Sequence, residues 1–133
     1  MRNYLYSLRI NIVPDVCEER NFRELIEFCK AAKIDDVAFF IYAEEYNIGH
    51  YGIDEVKPYV GTIVRHRDEL RAAGVTVSLN PWYTLSHADR FGDDYVCPYR
   101  TMTGADGYVS KAAVCPTDEK WLDDFISLYR YLI

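Results

Sequence analysis

Tyr4-Leu5-Tyr6-Ser7-Leu8-Arg9-Ile10-Asn11-Ile12-Val13-Pro14 is the stretch that decides how the chain is read. Tyr6, Leu8, Ile10 and Ile12 fall on one side, and Leu5, Ser7, Arg9 and Asn11 on the other. A period of two is the signature of a strand. Pro14 ends it, because proline has no N–H to give to a ladder. The same alternation returns in Val75-Thr76-Val77-Ser78-Leu79-Asn80-Pro81, with Val75, Val77 and Leu79 opposed to Thr76, Ser78 and Asn80. Between them, Val37 to Tyr42 is a short, almost wholly apolar run rich in aromatic and branched residues, which suits a strand covered on both faces.

Helical spacing fills the gaps. Asn21 followed by Glu24 has the spacing of a capping box, and Phe22, Leu25, Ile26, Phe28 and Cys29 make one helical face. From about Asp54, the residues Val56, Tyr59, Val60, Ile63, Arg67 and Leu70 recur at steps of three and four. Asp54 and Glu55 suit the N-terminal end of that helix, Pro58 is tolerable in an opening turn, and Gly74 suits its C-terminal stop. Residues 81–116 read as a long loop-rich stretch, either functional or ordered by small elements of its own. Thr117 or Asp118 opens a last helix with Trp121, Leu122, Phe125, Ile126, Tyr129 and Leu132 on its apolar side.

Strand–helix repeats of this size predict βαβ units and a parallel α/β sheet. A three-stranded parallel sheet has two long edges and buries little, so the expectation is an incomplete (β/α)8 TIM-type barrel. Residues 1–133 would be a single partial domain, its first three βα units, since such a barrel takes about 250 residues. A doubly wound sheet fits less well, because Pro14-Asp15-Val16-Cys17-Glu18 after the first strand has no glycine fingerprint.

Composition narrows the classes. The chain has 133 residues, half of them hydrophobic, which excludes a low-complexity or disordered chain. A formal net charge of −6 without a basic cluster argues against nucleic acid as partner. No signal-type or membrane-spanning run stands in the sequence, so neither a membrane nor an exported setting is expected and the cytoplasm is. There Cys17, Cys29, Cys97 and Cys115 read as free thiols, and no metal-ligand spacing links them to His87. Neither a metal nor a cofactor is expected.

In a barrel, alternate strand residues point inward and the C-terminal strand ends face the active site. Arg9 and Asn11 share the inward parity of the first strand, and Thr76, Ser78 and Asn80 that of the third. An inward arginine needs a partner, either a structural ion pair or a substrate group. Asn11 and Asn80, at strand ends, are candidates for hydrogen bonds to a ligand. Trp82, just past the third strand, offers a stacking face for a sugar ring, with His87, Asp89 and Arg90 beside it in sequence. Tyr42 and Glu44 continue the inward parity of the second strand. Glycosidases use two carboxylates, about 5 Å apart for retention and about 6.5–9.5 Å for inversion. The neighbouring acids Glu44/Glu45, Asp93/Asp94 and Asp123/Asp124 read as solvated charge instead, so the catalytic residues stay unassigned.

Three segments carry a family resemblance. They are Asp36-Val37-Ala38-Phe39-Phe40-Ile41-Tyr42-Ala43-Glu44-Glu45-Tyr46-Asn47, then Val77-Ser78-Leu79-Asn80-Pro81-Trp82 with His87-Ala88-Asp89-Arg90, and Val114-Cys115-Pro116. Together they resemble the N-terminal part of a group of bacterial glycoside-hydrolase-like (β/α)8 barrel proteins, over nearly the whole chain. The resemblance implies a carbohydrate ligand, with Tyr42, Asn80, Trp82, His87, Asp89 and Arg90 in the cleft. It implies an acid/base carboxylate after a fourth strand and a second on a later one, and matches neither to a residue here. The 133 residues alone are therefore expected to position sugar without hydrolysing it. Two competing readings are an isomerase- or aldolase-type sugar barrel and a non-catalytic carbohydrate-binding or interaction module. In the latter, exposed sheet edges would drive self-association.

Overall fold

The computed structural model of the chain describes residues 5–16, 18–41, 50–81 and 93–133. They belong to two compact units, one drawn from Met1–Ala43 and Val56–Trp82, the other from Glu44–Glu55 and Tyr83–Ile133.

In the first unit, β1 (Ser7–Asn11), α1 (Glu18–Ala32), β2 (Asp36–Phe40), α2 (Ile53–Ala72, from Val56 on) and β3 (Thr76–Asn80) succeed one another. The strands form a parallel sheet in the order β1-β2-β3. This is a mixed α/β fold, and the described residues form no closed barrel. Register puts Leu8, Val37 and Val77 in one row and Ile10, Phe39 and Leu79 in the next, so one face of the sheet is apolar. Phe22 of α1 meets Phe39 on that face with ring centroids 5.7 Å apart, and Val37 and Phe39 are wholly buried.

Local chemistry explains the boundaries. After β1 the chain turns through Pro14 and Asp15, the latter at φ 62°, and α1 opens at Glu18, three residues before the expected Asn21. Asn21 Nδ2 donates to the Val16 carbonyl (3.0 Å), so this side chain ties the turn to the helix from inside its first turn. Glu18 and Glu19 put two carboxylates where the helix dipole favours them. At the start of α2 the Gly52 N–H donates to Glu55 (3.0 Å), the backward half of a capping box. Pro58 therefore lies in the second turn rather than the first, and removes one i→i−4 donor on an exposed side of the helix. Gly74 (φ 81°) ends α2 in a Schellman motif, with Val75 N–H on the Leu70 carbonyl and Gly74 N–H on that of Arg71. Lys33 (φ 57°) takes the same left-handed position after α1, where Ile34 N–H reaches the Cys29 carbonyl.

The second unit supplies order to the expected loop-rich stretch. β4 (Thr101–Thr103) pairs antiparallel with β5 (Val109–Val114), two elements not anticipated from the sequence. Gly107 at φ 84° turns the hairpin, and Asp106 accepts the N–H of Tyr108 across it (3.0 Å). α3 (Glu119–Leu132) follows, capped by Asp118, whose Oδ1 accepts the Trp121 N–H at 2.7 Å. Trp121 and Leu128 are buried, but Leu122 and Ile126, expected on the same apolar side, are exposed.

Candidate functional site

The other face of the parallel sheet is polar. Its rows, from the N-terminal to the C-terminal ends of the strands, are Ser7–Asp36–Thr76, Arg9–Ala38–Ser78 and Asn11–Phe40–Asn80. In a parallel sheet, neighbours in register point to one side, so alternation in three separate strands converges on one surface.

The lowest row is a closed network. Asp36 accepts hydrogen bonds from Ser7 Oγ (2.6 Å), Thr76 Oγ1 (2.8 Å) and Ser78 Oγ (2.8 Å). Burial pushes its pKa up, but the three hydroxyl donors outweigh that and leave it below the usual value for an aspartate. Hydroxyl donors from both neighbouring strands thus hold the anion, and this carboxylate cross-links the sheet.

Above it the exposure is uneven: Phe40 is buried, while Arg9 and Asn11 reach solvent. Arg9 is exposed, and its Cζ lies 4.4 Å from the centroid of the Phe40 ring, a cation–π contact. Among the described residues, no ion pair reaches it. Asn11 and Asn80 flank Phe40 on either side at the strand ends, Asn11 exposed and Asn80 half-buried. The two amides put hydrogen-bond donors and acceptors at the strand ends on either side of the ring.

The sheet thus brings together three of the sequence-derived candidates, Arg9, Asn11 and Asn80. The other six, Tyr42, Glu44, Trp82, His87, Asp89 and Arg90, lie outside the described residues. Sequence reasoning passed over Asp36 and Phe40. Both share the parity of Tyr42 and Glu44, and extending that parity backwards along β2 would have found them.

A hollow of about 180 Å³ lies by the apolar face, at the edge formed by β1 and lined by Ile10, Ile12, Phe22, Leu25, Phe39 and Glu18 among others. Asn11 borders it too. Its acid is not available for chemistry. Glu18 Oε1 accepts from Arg65 Nε (2.9 Å) and His66 Nε2 (2.8 Å), and Oε2 from Arg65 Nη2 (2.8 Å) and Thr62 Oγ1 (3.2 Å). The Arg65 hydrogen bonds are the main cause of a pKa lowered from 4.5 to about 2, opposed by burial and aided by His66 and Thr62. Buried His66 stacks on Phe22 at 4.0 Å, so this cluster binds α1 to α2.

Among the described residues, no group of three or more His, Cys, Asp or Glu is placed to hold a metal, and no helix is long and apolar enough to cross a membrane. No family model, curated protein or solved structure matches the chain.

Proposed function

We propose that this chain forms the first three βα units of a (β/α)8 barrel that hydrolyses glycosidic bonds, and that its polar sheet face positions the saccharide. The observation that carries this reading is the row Asn11–Phe40–Asn80 at the C-terminal ends of three parallel strands. Strand ends of that side hold the active site in barrels of this type. A doubly wound sheet would need apolar residues on both faces, and this face carries seven polar side chains in nine positions. The edges at β1 and β3 are where a barrel adds strands, and in the isolated chain they favour self-association.

The role of these residues is binding, not proton transfer. Asp36 sits at the N-terminal end of β2 with three hydroxyl donors on it, which keeps it ionised and away from the mouth. The acid and base of the reaction then belong to elements other than the three described strands. The free thiols Cys29, Cys97 and Cys115 accord with a cytoplasmic setting.

The test is titration of the 133-residue chain with neutral oligosaccharides, followed through the side-chain amide signals of Asn11 and Asn80. Both signals should move, and Asn80→Ala should weaken binding about tenfold, the loss of one good hydrogen-bonding group. Unmoved amides would overturn the binding site. Robust hydrolysis of aryl glycosides by this chain, abolished by Glu44→Gln, would overturn the assignment of the chemistry to other elements.

A further inference from the structure

We propose that Arg9 makes this face selective for saccharides bearing a carboxylate, such as uronic acid residues; the inference rests on the saccharide-binding reading above and names its substrate class. Three observations carry it. Arg9 stands on the polar face, one row below Asn11 and Asn80 and in register with Ala38. Asp36 is the carboxylate of that face among the described residues, and it faces three hydroxyls rather than the guanidinium. Arg9 itself rests on the ring of Phe40 and has no acid or carbonyl partner among the described residues.

A guanidinium always carries its charge and presents a planar fork of N–H donors that matches a carboxylate. Arg9 is exposed, and Asp36, the acid of that face among the described residues, is held by hydroxyls instead. The Phe40 contact fixes the side chain in position and so lowers the ordering cost when an anion arrives. Asn11 and Asn80, in the row above, are placed for the hydroxyls of the same sugar or its neighbour. A net charge of −6 does not forbid this, because screening limits repulsion to about 8 Å at physiological salt.

The experiment compares trigalacturonate, its methyl ester and inorganic sulfate as probes, by calorimetric titration of the whole chain. Trigalacturonate should bind about tenfold more tightly than the ester, as one charge-assisted bidentate contact provides. Arg9→Gln should remove that preference, and Arg9→Lys should restore only part of it, because the charge returns without the fork. Circular dichroism establishes that both variants fold, as expected for an exposed side chain. Equal binding of acid and ester, or a preference that survives Arg9→Gln, would overturn the role of Arg9. If the ester binds in an Asn80-dependent way without any acid preference, the saccharide site stands and this inference falls. If no saccharide binds, both fall. Sulfate binding as tight as trigalacturonate would show a generic anion site and remove the claim of carboxylate selectivity.

Discussion

The two faces of the parallel sheet are made by the same fifteen residues of β1, β2 and β3, yet they differ in everything but backbone. On one, Val37 and Phe39 are sealed from water and Phe22 packs on Phe39. On the other, Arg9, Asn11, Thr76 and Ser78 are exposed and Asp36 joins three strands through hydroxyl groups. The apolar face is where burial stabilises the unit. The polar face adds the Asp36 network, which ties the three strands together.

The contrast is open to direct attack. Phe39→Ala removes a fully buried ring from the sealed face and should cost about 3–5 kcal/mol in urea denaturation, whereas a cost below about 1 kcal/mol would show that helices do not seal it. Glu18→Gln acts on the helices that cover that face. It leaves Arg65, His66 and Thr62 without their shared anion and should cost about 1–3 kcal/mol in the same assay.

Acid should reproduce part of that loss. The Glu18 carboxyl titrates near 2 in the folded chain against 4.5 as a free group, so its stabilisation is whole above about pH 4.5 and is lost as pH falls toward 2. Asp36 is lowered too and adds to the same limb. A denaturation series from pH 5 to 2 should therefore slope downward, and Glu18→Gln should flatten it; an unchanged slope would remove Glu18 as its source. The smallest effect belongs to the polar face. Asn11→Ala, at an exposed strand end, should change stability by no more than about 0.5 kcal/mol in a thermal melt, while diminishing the saccharide response. A large stability loss there would mean that Asn11 is structural.

How far the sequence could be read depended on distance along the chain. Strand parity is local: Arg9, Asn11, Ser78 and Asn80 could be assigned to one face because successive side chains in a strand must alternate. The start of α1 was misplaced at Asn21 because Asn is a common cap, and nothing nearby reveals that Asp15 adopts a left-handed turn that starts the helix earlier. β4 escaped notice because three residues, Thr101–Thr103, are too few to show a period. The partners of Asp36, Thr76 and Ser78, are 40 and 42 residues away, and Glu18 finds His66 at a separation of 48.

What the amino-acid order determined by itself is the alternation, the helical spacing and hence a parallel α/β sheet with one apolar and one polar face. Those follow from local geometry, since each residue's side is set by its neighbours. The tertiary structure alone decided which charges meet. It gave Asp36 three hydroxyls, gave Glu18 to α2, and left Arg9 over an aromatic ring with no counter-ion among the described residues. Charge pairing depends on ångström-scale separations across strands and helices, which register and packing set and local sequence does not.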